Sequence, residues 1–246
     1  MSDTALEWIL PDWAAPAQIH AFATTRIGGI STNGYRSLNL ASHVEDEPGA
    51  VLGNRQRLRA ALRLPAEPQW LEQTHSTRVI DLTHEATRMG DAAITRQPRQ
   101  IAVVMTADCL PVLLCNQHGS EVAAAHAGWR GLHAGILEQT VKRMHSSPAQ
   151  ILAWLGPAIS QAHFEVGEEV RDAFIRHDEQ AASAFRPSKP GHYLADLYQL
   201  ARQRLNKSGV AHISGGQNCT YAEAGRFFSF RREAKTGRQA SMIWID

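Results

Sequence analysis

Pro111-Val-Leu-Leu-Cys115, Asn116-Gln-His-Gly-Ser120 and Glu121-Val-Ala-Ala-Ala125 run consecutively, and the fold is read outward from them. Two apolar runs flank a short polar segment containing Gly119. That is the pattern of a β-hairpin, so the two runs pair antiparallel. With the turn centred near His118, the numbers of facing residues sum to about 236. Cys109, just before the first run, then lies close to opposite His126, just after the second. Zinc asks for a thiolate at ~2.3 Å and an imidazole nitrogen at ~2.0 Å, which side chains on adjacent strands facing one side supply. Cys115 stands roughly 20 Å further along an extended strand and reads as core.

A third ligand has to come from elsewhere. His75 follows the strand-like Trp-Leu-Glu-Gln-Thr at 70–74, where a side chain at a strand end projects into a cleft. Three protein ligands leave one coordination position open, the arrangement of catalytic zinc, whose bound water has a pKa near ~7. The same residues carry a competing chemistry. A cysteine beside a histidine is also a thiolate nucleophile with its base, and Asp108 would then orient the histidine or the substrate. Spacing does not separate the two; metal content does. His84, His133, His145 and His177 stand singly in polar or helical contexts and read as surface.

Around this core the chain alternates strands and helices. Strands are expected at Ile19–Thr25, Gln69–Thr74, Val79–Leu82, Ile101–Ala107, Pro111–Cys115, Glu121–Ala125, Ile151–Leu155 and Met242–Ile245. A glycine-rich loop, Arg26–Tyr35, follows the first of them. Helices are expected at Val51–Leu64, Leu132–Met144, Val166–His177 and Asp196–Asn206, with apolar positions recurring on one face. Several strands follow one another without intervening helices, which favours a mixed α+β sandwich over a doubly wound parallel sheet.

Composition narrows the function. With 246 residues, 43% of them hydrophobic, the chain can bury a large core, and no linker, repeat or low-complexity tract divides it, so one domain over 1–246 is expected. The 25 basic and 24 acidic residues nearly cancel, so no global field draws in nucleic acid or an anionic membrane. The expected partner is a small molecule. The start, Met-Ser-Asp-Thr-Ala-Leu-Glu-Trp-Ile-Leu, lacks a basic leader region, and no apolar run reaches the ~20 residues of a membrane span. Three cysteines at irregular spacing, Cys109, Cys115 and Cys219, read as reduced thiols, and a cytoplasmic location follows. Oligomeric state is not legible here.

Anion binding has its own candidates. His126-Ala-Gly-Trp-Arg-Gly-Leu132 ends a strand and runs into a helix, so backbone N–H groups and the helix dipole point toward the metal region. Arg26 precedes Gly28 and Gly29, Arg130 lies inside the glycine turn, and Arg231 and Arg232 follow an aromatic stretch; arginine forks suit phosphate. No dinucleotide or nucleoside-triphosphate fingerprint occurs.

At these residues the chain resembles the YfiH family, also called laccase-domain or polyphenol-oxidase-like proteins and, in one bacterial assignment, peptidoglycan editing factor. The likeness is nearly end to end, through TTRIGGIS (24–31), SLNLASHV (37–44), NRQRL (54–58), QTHSTRV (73–79), TADCLPVLL (106–114), AAAHAGWRGL (123–132), AWLGPAI (153–159), FEVGEEV (164–170), CT (219–220), FFSFRRE (227–233) and TGRQ (236–239). The resemblance implies that His75, Cys109 and His126 are zinc ligands, one ion per chain. It implies an α/β/β/α sandwich with mixed sheets, similar to the catalytic domain of cytotoxic necrotizing factor toxins, which are Cys-His deamidases. It also implies phosphorolysis of adenosine, inosine, guanosine and methylthioadenosine, with hydrolytic deamination of adenosine. To these we add substrate or phosphate contacts by Arg26, Asn39, Gln73, Asp108, Arg130 and Arg232.

The laccase label is the weaker expectation. Multicopper oxidases bind several coppers through many histidines with closely spaced pairs, and this chain has 12 histidines and no His-x-His. Copper could still enter a single site, since it outranks zinc for nitrogen and sulfur donors. A third reading is a hydrolase removing wrongly built serine-containing peptidoglycan precursors. A non-enzymatic, metal-stapled scaffold would leave the open coordination position beside an anion site unexplained.

Overall fold

The computed structural model describes residues 5–246; residues 1–4, the beginning of the stretch read as lacking a leader, lie outside the described residues. In chain order the strands are β1 (Trp8–Ile9), β2 (Ile19–Thr24), β3 (Val79–Asp81), β4 (Ala92–Thr95), β5 (Ala102–Thr106), β6 (Leu110–Asn116) and β7 (Val122–Ala127). They continue with β8 (Ile151–Leu155), β9 (Glu165–Gly167), β10 (Phe185–Pro187), β11 (His192–Ala195), β12 (His212–Gly215) and β13 (Gln239–Ile245). The helices are α1 (Pro48–Ala61), α2 (Trp129–Ala134), α3 (Ile136–Arg143), α4 (Glu168–His177) and α5 (Leu197–Lys207).

Two sheets face each other. One is antiparallel, in the order β1-β2-β13-β5; the other is mixed, in the order β12-β8-β6-β7-β4-β3, with parallel pairs at both ends. A small third sheet, β10-β11-β9, stands apart from both. Ala21, Val104 and Ile243 of the first sheet meet Ile80, Leu113, Cys115 and Val122 of the second. The first sheet's outer face, with Phe22, Met105 and Met242, takes Leu58 of α1. The second sheet's outer face, with Leu110, Val112, Leu114 and Ala125, takes Ile136, Leu137, Phe174 and Leu200 from the other helices. The layers are therefore α/β/β/α, as expected. Because β6 and β7 are covered on both faces, every residue in them is buried, which is why they read as continuous apolar runs and not as alternating ones. Among the described residues no helix is long and apolar enough to cross a membrane.

Several expectations are corrected. Gln69–Thr74 is not a strand: Gln69 bridges to Ala102 but Glu72 bridges to Met89, so the segment changes partner before any ladder can form. The helix expected at Leu132–Met144 is two, parted at Gly135, whose φ of 102° no helix tolerates. The helix expected from Val166 starts at Glu168, because Glu165–Gly167 pairs with β11. The first helix begins and ends three residues earlier than expected, at Pro48, a residue suited to a first turn. The hairpin register also differs. Pro111 faces His126 and Cys115 faces Val122, so facing numbers sum to 237, the Asn116 side chain accepting the Ser120 amide at 2.9 Å to close the turn. Cys109 and Pro111 nonetheless have the same strand parity, so Cys109 stays on the side of His126, as its diagonal neighbour.

Candidate functional site

Three different elements bring the donors together. His126 is on the buried end of β7. Cys109 ends the bend Ala107-Asp108-Cys109, which carries the chain from β5 in one sheet to β6 in the other, so the thiol sits at the rim where the sheets join. His75 lies on the exposed loop that precedes β3. The bend and the loop are both tight: Asp108 has φ 90° and His75 φ 60°, the left-handed region that side chains rarely enter. His75 Nε2 is 3.8 Å from Cys109 Sγ, and the two imidazole rings meet edge to face at 4.8 Å.

The ligand atoms of His75, Cys109 and His126 all lie within 4.8 Å of one another, and among the described residues no other such group of three converges. A thiolate and an imidazole bound tetrahedrally to one zinc are about 3.6 Å apart, so the donor set fits the ion with small side-chain adjustments. Gly128 makes room for it. A Cβ at that position would stand 2.8 Å from Cys109 Sγ and 2.9 Å from His75 Cδ2.

Asp91 organises the site and was not anticipated. Its fully buried carboxylate accepts from His126 Nδ1 at 2.9 Å, from the backbone amides of Thr74, His75 and Ser76, and from the Ser76 hydroxyl. With Nδ1 carrying the proton, His126 Nε2 keeps its lone pair for a metal. Burial raises the Asp91 carboxyl, but the donors from His126 and Ser76 outweigh it and hold it well below the usual carboxylate range. Burial likewise raises the Cys109 thiol, while the charge and hydrogen bonds of His126, then His75, bring it down to about 6. Burial lowers His126, but the charge of Cys109 and the hydrogen bond to Asp91 lift it to about 9. In metal-free form these are a thiolate and an imidazolium, braced by a carboxylate.

The remaining candidates divide. Asp108 is buried, with Oδ1 accepting from Thr220 Oγ1 and Oδ2 from the Arg231 amide, both at 2.7 Å, so it anchors the bend beneath Cys109. Gln73 uses both ends of its amide on Met105 of β5, at 2.8 Å each way, which ties the loop bearing His75 to the first sheet. Asn39 is buried and holds Ala41, Asp46 and the Arg238 amide. Arg26 donates to the carbonyls of Arg36 and Ala224, and Arg232 to those of Thr220, Tyr221 and Phe227. Arg231 donates to the Glu165 carbonyl. Arg130 is exposed, with its guanidinium over the Trp129 ring at 4.5 Å. Cys115 is core, and burial pushes its thiol up to about 12. Of the histidines read as surface, His84, His145 and His177 are exposed, His177 Nε2 meeting Arg204 Nη1 at 2.7 Å; His133 is half-buried, packed edge-on against Phe174. Arg238, within the quoted TGRQ but not singled out there, lies within electrostatic reach of Cys109 and Asp108.

A family model described as multi-copper polyphenol oxidoreductase laccase matches residues 20–246. The chain is 54% identical over 239 residues to the purine nucleoside phosphorylase YfiH of Escherichia coli strain K12, which covers 96% of this chain and 98% of that protein. A purine nucleoside phosphorylase of Pseudomonas aeruginosa is 48% identical over 239 residues, covering 97% and 98%. Among solved structures, the Neisseria meningitidis protein NMB0706 superposes with a TM-score of 0.93 at 46% identity, covering 97% of this chain and 99% of that one. YlmD from Geobacillus stearothermophilus superposes at 0.87 with 31% identity, covering 97% and 99%. Fold, motifs and full-length likeness agree, and the chain belongs to the YfiH family described by the multi-copper polyphenol oxidoreductase laccase model.

Proposed function

We propose that this chain is a zinc-dependent purine nucleoside phosphorylase. It would convert adenosine, inosine, guanosine and methylthioadenosine to base and pentose 1-phosphate, and also deaminate adenosine to inosine. It would act as a single domain, in the cytoplasm, on small molecules and not on nucleic acid. The observation that carries the reading is the convergence of His75, Cys109 and His126 at the sheet rim, in a chain whose full-length relatives bear the phosphorylase name.

His75, Cys109 and His126 would hold one zinc. When bound, the ion supplies Lewis acidity in a site partly shielded from water. Asp91 fixes the His126 ring, and Asp108 and Gln73 position the bend and the loop that carry the other two donors. In phosphorolysis a phosphate oxygen forms a bond to the ribose C1′ as the C1′–N9 bond breaks; the electron pair leaves with the purine, which takes up a proton. The task of the protein is to hold phosphate beneath the ribose, and Arg130 in the first turn of α2 suits that role. Arg26, Asn39 and Arg232, which make internal hydrogen bonds, would shape the site around it.

A second reading rests on a specific arrangement. Cys109, His126 and Asp91 form a thiolate–imidazole–carboxylate series, the layout of cysteine hydrolases such as deamidases. Chelation separates the two, because nucleophilic thiol chemistry survives metal removal and metal-dependent chemistry does not. A copper polyphenol oxidase has less support, since the one three-donor group among the described residues cannot hold several coppers. The deciding experiment incubates metal-quantified protein with a nucleoside panel, with and without phosphate. Adenine and ribose 1-phosphate should form from adenosine only when phosphate is supplied, and inosine should form either way. Adenine released at full rate without phosphate would make this a nucleoside hydrolase. No purine product, alongside turnover of a phenol or a serine-containing muropeptide, would overturn the purine reading.

A further inference from the structure

Arg130 and Arg231 are exposed, whereas Arg238 is half-buried and still keeps part of its fork unspent. Gln239 is the first residue of β13 and faces Thr106, the last of β5, so Arg238 stands one step beyond that pair, opposite Ala107. Asp108 and Cys109 come next in the bend. The backbone of Arg238 is locked there: its amide donates to Asn39 Oδ1 at 2.9 Å and its carbonyl accepts from the Leu40 amide at 3.3 Å. Its guanidinium is half-buried, and only Nη1 is spent inside the protein, on the Thr236 and Gly237 carbonyls. Among the described residues Arg238 makes no ion pair, and its Nε and Nη2 meet no acceptor.

The surroundings carry charge of both signs. Burial first, then the positive charges of Arg238 and Arg55, hold the His43 imidazole below its ordinary value. Arg238 itself is pushed down by burial, against the opposing charges of Cys109, Asp108 and Tyr35. The exposed Phe230 ring borders the guanidinium at 6.0 Å. A half-buried cation with two free donors and no carboxylate partner gains most from an anion that accepts in the plane of the fork, and a phosphate oxygen pair does so.

We infer that Arg238 is an anion-binding residue of the site, its Nε and Nη2 holding the phosphate group beside the bend that carries Cys109. The phosphate is inorganic phosphate in the forward reaction or the sugar phosphate in the reverse one. This rests on the phosphorylase reading for its chemistry but not for its test.

Metal-loaded wild-type and Arg238→Gln proteins of equal metal content are titrated with inorganic phosphate by calorimetry, and the KM for phosphate and for nucleoside are measured separately. Gln keeps a donor for the Thr236 and Gly237 carbonyls and removes the charge. Phosphate Kd and KM should rise at least about ten-fold in Arg238→Gln, with nucleoside KM within about two-fold of wild type. Arg238→Lys, with the charge but not the fork, should fall between, and carries the test should the Gln variant fail to fold. Titration with ribose 1-phosphate assigns which phosphate the residue holds more tightly. Undiminished phosphate binding by the variants would overturn the inference. Wild-type protein that binds phosphate through Arg238 yet turns over no nucleoside would uphold the inference and overturn the phosphorylase reading.

Discussion

One oxygen of Asp91 accepts both from His126 Nδ1, at 2.9 Å, and from the His75 amide, at 3.0 Å. Two of the three donors are thus oriented by a single atom, and the other carboxylate oxygen secures Thr74 and Ser76. Asp91→Ala should lower metal affinity by about 10- to 100-fold, the usual range for removing a partner of a ligating histidine. It should also cost about 3 kcal/mol of stability, because buried donors are left unpaired. Metal analysis after dialysis and denaturant unfolding measure the two; unchanged affinity would remove Asp91 from the site.

Gly128→Ala tests the shape of the site without disturbing the backbone, since Gly128 has an ordinary φ of −61°. The new methyl would sit 2.8 Å from Cys109 Sγ and 2.9 Å from His75 Cδ2. Metal content should fall well below that of wild type while circular dichroism stays native. Full occupancy would mean that the three donors do not close around one ion.

The two hairpin cysteines should separate cleanly. Cys109→Ala should lose the metal with the fold intact, because the donor sits on a preformed bend held by Asp108. Cys115→Ala should keep metal and turnover and cost about 1 to 3 kcal/mol as a small buried side chain. Loss of metal from the Cys115 variant would overturn the assignment.

Titration of the metal-stripped protein has a defined sign. The Cys109 thiol is held down to about 6, so its alkylation rate should climb as pH rises through that value and level off above it, while Cys115, pushed up to about 12, stays inert. A depressed thiol contributes stability that is lost as pH falls through about 6. A raised imidazole contributes stability that is lost as pH rises through about 9. Metal-free protein should therefore be most stable between those two values. A stability maximum outside that window would argue against the ion pair.

What could be read in the chain was what short-range pattern encodes. The hairpin was legible because Pro111–Cys115 and Glu121–Ala125 are apolar runs bounded by Gly119; its register slipped by one because the Asn116 side chain, not the backbone alone, closes the turn. Strand β4 was missed because two of its four residues are alanine, which has little strand preference, and burial on both faces supplies what propensity does not. Asp91 was missed because its partners, residues 74–76 and 126, are distant in sequence, though an aspartate between Gly90 and an apolar run was a visible signal. Arg26 and Arg232 were read as phosphate contacts; that Arg26 reaches the Ala224 carbonyl was not legible, because the two are 198 residues apart.

The tether at Asp91 has a consequence for metal supply. Hydrogen bonds that need no ion already orient the His126 ring and the loop of His75, so loading requires no refolding and the chain has little means of choosing among ions by conformation. Preference then follows intrinsic affinity, in which copper outranks zinc for nitrogen and sulfur donors. Protein from copper-rich and zinc-rich cultures should then carry different metals, which metal analysis of the two preparations measures.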